Sequence, residues 1–207
     1  MTSFYDRHIM PCLIGCACST KPIMKQREKV VPQATGTVLE LGIGGGLNLA
    51  FYNLATVEKV VGVDPSEELR ERAAHAPRPY GLRVHVRDGT AEALPFEDAS
   101  FDSVVCTYTL CSVREPAAAL AEARRVLKPG GQFFFCEHGA APDPNVAKWQ
   151  RRIEPVWKKI AGGCHLTRPV ARTIEDAGFT ITKLDSMYLP GTPKFAGWNE
   201  WGQAKPA

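Results

Sequence analysis

The sequence contains no run of five or six like charges and no motif typical of DNA or RNA binding, and its formal net charge is only +3. These absences argue against a nucleic acid as partner. Its apolar runs, including the N-terminal stretch "IMPCLIGCAC", are too short for a transmembrane helix or an ordinary signal peptide. We therefore predict a cytoplasmic protein. A peripheral contact of that stretch with a membrane stays open, as does the oligomeric state.

The seven cysteines are odd in number, and several of them lie in apolar runs that are typical of strands. Unpaired cysteine packs like a small apolar residue, so we predict reduced thiols in a reducing compartment. Cys12, Cys16 and Cys18 lie close together, but they form no Cys-x-x-Cys pair, and no matching second pair follows. Zinc sites built from cysteine need such spacing, so we predict no metal site.

The order of the predicted elements indicates the class of fold. Apolar segments such as "TVLELGI", "EKVVGVDP" and "QFFFCEH" alternate with amphipathic segments such as "REPAAALAEARRVL". Strands that are apolar throughout and alternate with helices form parallel sheets covered on both faces. The sequence therefore predicts an α/β fold with a doubly wound, mostly parallel sheet of seven strands, with helices on both faces. The segments "TITKLDSMYL" and "FAGWNEWGQAKP" are predicted to add a C-terminal antiparallel hairpin at one edge.

Two further predictions concern single segments. "GLNLAFYN" is predicted to start a helix directly after a cluster of glycines. "WQRRIEPVWKKIAGG" is predicted to be a helix that Pro155 kinks or restarts. Its apolar face carries Trp149, Ile153, Trp157 and Ile160, which form either a core stripe or a lid over a ligand. For the two tryptophans we expect the core.

The stretch "VLELGIGGGLNLAFY" places four glycines within five residues at the end of an apolar strand. A phosphate-binding P-loop closes with Lys-Ser or Lys-Thr, whereas Leu47 and Asn48 follow here. The dinucleotide fingerprint needs a glycine where Leu47 stands. About twenty residues after the glycines, Asp64 ends the second strand, where a carboxylate accepts both hydroxyls of a ribose. The ligand is therefore expected to contain a ribose but no pyrophosphate.

Together with further segments, this loop resembles the class I S-adenosylmethionine-dependent methyltransferases. The resemblance is carried, in order, by "ELGIGGG", "VGVDPS", "AEALPFEDASFDSVVC" and "LKPGGQFFF". It implies a Rossmann-like fold, S-adenosylmethionine as cofactor and S-adenosylhomocysteine as product. It also implies one domain, 1–207, composed of an N-terminal helical cap (1–35), a cofactor-binding core (36–140), and substrate-side helices with the last strands (141–207).

The resemblance also implies roles for individual residues of the cofactor site. The glycine backbone approaches the methionine part of the cofactor, Asp64 holds the ribose hydroxyls, and Thr107 lies near the transferred methyl group. Pro65 and the loop after the third strand border the adenine, and an N-terminal tyrosine closes over the cofactor. The implied cofactor-binding residues are Tyr5, Glu40, Gly42, Gly44, Gly46, Asn48, Asp64, Pro65, Thr90, Ala91, Glu92 and Thr107.

Further segments bear on the acceptor of the methyl group. "LNLAFYN", "VVCTYTLCSVREP", "FFFCEHGA" and "WQRRIEPVWKKIAGGCHLTR" resemble the methyltransferase-like thiol methyltransferase branch, which methylates small lipophilic thiols. A thiol with a pKa of about 8.5 is partly ionised at neutral pH, so it needs no dedicated base. Methylation of nitrogen, oxygen or carbon in a phospholipid headgroup, a quinone or a natural product stays open as the alternative. A protein that binds the cofactor without catalysis also stays open.

Few side chains qualify as partners of the acceptor. The catalytic candidates are Asp6, Tyr108, His138 and His165, and the further candidates for the acceptor pocket are Cys111, Trp149 and Trp157. Each of them has an alternative role in packing or in capping a turn.

Overall fold

The computed structural model describes residues 15–207, whose strands form one seven-stranded sheet. The strands are β1 (Gly36–Leu41), β2 (Val57–Val63), β3 (Val84–Arg87), β4 (Phe101–Thr107), β5 (Leu127–His138), β6 (Phe179–Tyr188) and β7 (Trp198–Pro206). Their order across the sheet is β3-β2-β1-β4-β5-β7-β6. The first five strands are parallel, and β7 runs antiparallel to both β5 and β6. The predicted mostly parallel sheet with a C-terminal antiparallel pair is confirmed.

Helices cover the two faces of the sheet and bury two apolar cores. The helices are α1 (Lys21–Val30), α2 (Glu67–His75), α3 (Pro116–Val126), α4 (Pro144–Ile160), α5 (Val170–Asp176) and α6 (Lys194–Gly197). One core includes Leu120 of α3 and Ile174 of α5, and the other includes Val30 of α1 and Ala73 of α2. Because both faces of the sheet are covered, β4 is buried along nearly its whole length. This is the doubly wound arrangement that the alternating pattern predicts.

The strand order reverses at the middle of the sheet, where β1 and β4 are neighbours although two other strands separate them in the sequence. Leu41 at the end of β1 pairs with Cys106 near the end of β4. The segments that follow these two strands therefore leave the sheet side by side. In open α/β sheets, a crevice for ligands forms at such a reversal, beyond the carboxyl ends of the strands.

The segment "GLNLAFYN", predicted to start a helix, forms only a short 3-10 turn, Leu49–Phe51. That prediction is wrong because two polar side chains of the segment turn back to β1. Asn48 Nδ2 and Tyr52 OH both donate hydrogen bonds to the buried carboxylate of Glu40, at 2.9 and 2.8 Å. The apolar periodicity of the segment carries no information about these contacts, because they depend on β1 lying beside it.

Helix α4 continues through Pro155 without a restart, and its apolar stripe is only partly buried. Trp149 is 58% exposed, so the expected packing of this side chain in the core is wrong, whereas Trp157 is half-buried. The physical reason is that polar Gln150 takes the buried position, where its amide bonds the backbone of Gly139 and Phe195. Within the described part of the chain, no helix is both long and apolar enough to cross a membrane.

Candidate functional site

A cavity of about 820 Å³ opens beyond the carboxyl ends of β1, β2 and β4. Cavities of this size are typical of sites for small organic ligands. The predicted cofactor residues that line it are Gly42, Gly44, Asp64, Pro65, Thr90, Ala91, Glu92 and Thr107. The other predicted cofactor residues are Glu40, Gly46 and Asn48, which are not part of the lining, and Tyr5, which lies outside the described residues. The strand ends thus bring together most of the residues that the sequence assigned to one ligand.

The glycine loop, residues 42–46, requires glycine for two steric reasons. Gly42 has φ +62°, and a Cβ there would lie 2.5 Å from Thr109 Oγ1 in the segment after β4. Gly46 has φ +79°, and a Cβ there would lie 2.7 Å from the Cβ of Ala76, directly after α2. Side chains are unfavourable at positive φ and too large at both positions. Glycine at position 42 therefore allows the loop to pack against Thr109 after β4, and glycine at position 46 allows it to pack against Ala76 after α2.

The carboxylate of Asp64 is fixed at the cavity wall by backbone N–H groups. The Gly44 N–H donates to Oδ2 at 3.0 Å, and the Ser66 N–H donates to Oδ1 at 2.9 Å. Burial raises the pKa of Asp64 above its ordinary value, and these two N–H donors act in the opposite direction. Each carboxylate oxygen keeps a second lone pair. The two oxygens can therefore accept a pair of neighbouring hydroxyl groups, as a ribose presents them.

A buried network of polar side chains extends from the cavity lining into the protein interior. Arg27 Nη1 donates to Asn48 Oδ1 at 2.9 Å and to Thr107 Oγ1 at 2.5 Å. Asn48 in turn donates to Glu40, which also accepts the Tyr52 hydroxyl. Burial raises the pKa of Glu40 to about 7, against the effect of these donors and of the Arg27 charge. Glu40 and Asn48 therefore orient the residues that line the cavity.

Arg27 is a candidate functional residue that the sequence patterns did not indicate. Its side chain lines the cavity but is only 5% exposed, and its Nε has no hydrogen-bond partner among residues 15–207. Its guanidinium carbon lies 5.0 Å from the centroid of the Tyr108 ring. A buried cation at a cavity wall favours an anionic group of a ligand. The signal in the sequence was an arginine on the buried face of α1, next to Val30 and Val31.

The segment after β4 is held by a second residue that the sequence did not single out. The carboxylate of Glu137, in β5, accepts the N–H groups of Thr109 at 2.6 Å, Leu110 at 2.9 Å and Cys111 at 3.3 Å. The side chain is fully buried, and burial raises its pKa to about 8. Glu137 therefore shapes the cavity wall by satisfying three backbone donors that no strand pairs.

Of the catalytic candidates, Tyr108 lines the cavity, in a strained conformation with φ +53°. Its hydroxyl donates to Asn199 Oδ1 at 2.6 Å, and burial raises the pKa of the phenol well above its ordinary value. The side chain is therefore protonated at neutral pH and is not poised as a base.

Two other catalytic candidates, His138 and His165, are not part of the lining. His138 Nε2 lies 2.8 Å from Cys164 Sγ, and His165 Nδ1 lies 3.1 Å from Glu154 Oε1 of α4. Two predicted pocket residues lie near the pair of His138 and Cys164: Cys111, which is buried, and Trp157, whose Nε1 donates to Cys164 Sγ. Trp149 is on the exposed surface of α4, and Asp6 lies outside the described residues.

Comparisons with known proteins agree with this geometry. Residues 39–135 match the family described as "Methyltransferase domain". The chain is 41% identical over 170 residues to thiol S-methyltransferase TMT1B of Rattus norvegicus, covering 78% of this chain and 69% of the rat protein. It is 34% identical over 168 residues to thiol S-methyltransferase TMT1A of Homo sapiens, covering 79% of this chain and 68% of the human protein.

The fold is similar to that of geranyl diphosphate methyltransferase in complex with S-adenosylmethionine. The TM-score is 0.70 at 16% sequence identity, over 89% of this chain and 85% of the other. At 16% identity, structural similarity is evidence for the fold alone. The evidence for methyl transfer comes from the two thiol S-methyltransferases and from the match to the family. The chain therefore belongs to the class I S-adenosylmethionine-dependent methyltransferases, close to the thiol S-methyltransferase branch, and S-adenosylmethionine is its cofactor.

Proposed function

We propose that the protein transfers the methyl group of S-adenosylmethionine to the sulfur of a small lipophilic thiol. The observation that carries this proposal is the identity of 41% and 34% to two proteins named thiol S-methyltransferases, over more than three quarters of the chain. The lining of the cavity agrees, because no histidine is part of it among the described residues. A thiol needs no dedicated base, since its thiolate is present at neutral pH and is strongly nucleophilic.

The residues around the cavity fit two groups of the cofactor, the ribose and the α-carboxylate. Asp64 would accept the ribose hydroxyls through its two oxygens, and Arg27, a buried cation in the cavity lining, would attract the α-carboxylate. When bound, the cofactor supplies a methyl group already activated by the sulfonium charge. What the chain contributes is alignment of donor and acceptor, which lowers the barrier by fixing their relative orientation. Thr107 and Tyr108, at the end of β4, form the part of the wall next to the predicted position of the methyl group.

Arg27→Met is expected to weaken binding of S-adenosylhomocysteine about 10- to 100-fold. The loss follows from one charge-assisted hydrogen bond, worth about 1.5–3 kcal/mol, at about 1.4 kcal/mol per factor of ten. Binding of 5′-methylthioadenosine, which keeps the adenosine but lacks the carboxylate, is expected to change less than about twofold. Calorimetric titration of both ligands measures the difference.

Arg27→Lys is the matched control, because it keeps the positive charge and should restore part of the affinity for S-adenosylhomocysteine. An equal loss of affinity for both ligands would mean that Arg27 supports the cavity wall, through Asn48 and Thr107, rather than the carboxylate.

The proposed reaction is tested by methyl transfer from labelled S-adenosylmethionine to a panel of acceptors. The panel holds alkyl and aryl thiols, hydrogen sulfide, phosphatidylethanolamine, catechols and a demethylated quinone. We expect turnover with the thiols, and none with alcohols of the same carbon skeleton as matched controls. Transfer to the lipid, catechol or quinone but to no thiol would contradict the proposal. Tight cofactor binding without transfer to any acceptor would point to a binding protein without catalysis.

A further inference from the structure

Three side chains from distant parts of the chain meet behind the wall of the cavity. They are Cys111 in the segment after β4, His138 at the end of β5 and Cys164 after α4. One ligand atom of each, the two Sγ atoms and a ring nitrogen, all lie within 4.8 Å of one another. Both cysteines are buried, and His138 Nε2 is 2.8 Å from Cys164 Sγ. Two thiols and an imidazole are thus concentrated in one small volume.

Neighbouring groups contact both sulfurs and hold the backbone of Cys111 in place. Trp157 Nε1 donates to Cys164 Sγ at 3.3 Å, and Ser112 Oγ lies 3.5 Å from Cys111 Sγ. The backbone of Cys111 is fixed twice, by the Glu137 carboxylate at its N–H and by the His165 N–H at its carbonyl. Donors to the ligand atoms and fixed ligand orientation are the outer-shell features of metal sites.

The donor set selects the ion. Thiolate sulfur and imidazole nitrogen are the ligands that Zn²⁺ prefers, whereas Mg²⁺ and Ca²⁺ need oxygen. Among the residues that the structure describes, this group offers three ligands and no fourth. Two cysteines and one histidine with an open fourth position are the donor set of a catalytic zinc site, since structural zinc sites are closed by four protein ligands.

The position of the group connects it to the reaction. Ser112 Oγ lies 3.5 Å from Cys111 Sγ, and Ser112 also lines the cavity, so this residue connects the group to the cavity wall. We propose that Cys111, His138 and Cys164 bind one Zn²⁺ ion whose fourth position takes the sulfur of the acceptor. This inference rests on the proposed function, because it assumes that the acceptor is a thiol.

Zinc in this position would activate the acceptor by holding it as a thiolate. On coordination the thiol releases its proton to solvent. The coordinated sulfur then forms a bond to the methyl carbon, while the bond between that carbon and the sulfonium sulfur breaks and leaves its electron pair on the sulfonium sulfur. The neutral thioether dissociates from the ion. Zn²⁺ keeps its oxidation state throughout, so no oxidant or reductant takes part.

The first test measures metal binding alone, on the full chain purified with a reductant in zinc-supplemented medium. Elemental analysis is expected to give one zinc per chain. Replacement by Co²⁺ is expected to give the thiolate-to-cobalt charge-transfer band and the intense visible bands of a four-coordinate site. Cys111→Ser, Cys164→Ser and His138→Asn should each lose stoichiometric metal. Cys136→Ala, which removes a buried cysteine outside the group, should keep it.

Wild-type protein without stoichiometric zinc or cobalt under these conditions would overturn the metal site, and this outcome does not depend on any variant folding. Unchanged metal content in the two cysteine variants would also overturn it. Binding of S-adenosylhomocysteine by the variants, measured by calorimetry, checks that each variant is folded.

The second test concerns the open position. Titration of the cobalt protein with an alkanethiol is expected to shift and strengthen the charge-transfer band, and the matching alcohol is expected to leave the spectrum unchanged. No shift with the thiol would overturn coordination of the acceptor. Methyl transfer to thiols that survives complete removal of zinc by a chelator would overturn the catalytic role. Metal binding without any thiol methylation would instead count against the proposed function.

Discussion

Glu137→Ala is expected to lower the free energy of unfolding by about 3 kcal/mol or more. Three buried N–H groups, those of Thr109, Leu110 and Cys111, lose their acceptor, and each unsatisfied buried donor costs about 1–3 kcal/mol. Water that enters the space left by the side chain can accept some of these N–H groups. We therefore expect a loss of stability smaller than the sum of three fully unsatisfied donors. Urea unfolding followed by circular dichroism, in the absence of ligands, measures the change.

Glu137→Gln is the matched control because it keeps one carbonyl oxygen of nearly the same shape. This oxygen can still accept the Thr109 and Leu110 N–H groups, which share Oε1 in the structure, while Cys111 loses its acceptor at Oε2. The glutamine variant should therefore lose clearly less stability than the alanine variant. A single hydrogen bond contributes about 1 kcal/mol. If Glu137→Ala lowered the free energy of unfolding by less than this, the role that we assign to Glu137 would be contradicted.

Asp64→Ala is expected to weaken binding of S-adenosylmethionine about 30-fold or more. Two ribose hydroxyls lose a charged acceptor, at about 1–3 kcal/mol each, and a factor of ten corresponds to about 1.4 kcal/mol. The glycine loop also loses the hydrogen bond from Gly44, which lets this wall of the cavity move. Calorimetric titration with S-adenosylmethionine and with S-adenosylhomocysteine should show the same loss, because both ligands carry the ribose.

Asp88→Ala provides the control for a nearby carboxylate. Asp88 follows β3 and pairs with Arg70 at 2.6 Å, but its side chain is 76% exposed and is not part of the cavity lining. This variant should bind both ligands as the wild type does. Unchanged affinity in Asp64→Ala would show that the ribose lies elsewhere in the cavity.

The sequence alone was sufficient for the parts of the fold that depend on local patterns. Apolar runs such as "VVGV" predicted buried strands, because parallel strands covered on both faces carry mostly apolar side chains on both sides. The glycines after β1 and the acid at the end of β2 predicted the position of the ligand, because in α/β sheets these two strand ends lie side by side. Local periodicity misled us at "GLNLAFYN" and at Trp149, where polar contacts of Asn48, Tyr52 and Gln150 decided the packing.

Only the tertiary structure could show which distant residues meet. Arg27 and Thr107 are 80 positions apart, yet their side chains share a hydrogen bond at the cavity wall. The spacing of the cysteines predicted no metal site, whereas the fold places Cys111 and Cys164 beside His138. Sequence patterns indicate whether a segment forms a helix, a strand or a turn, because this depends on local backbone and side-chain preferences. Which side chains share a buried volume is decided by the strand order and by the satisfaction of buried polar groups, and these depend on the whole chain at once.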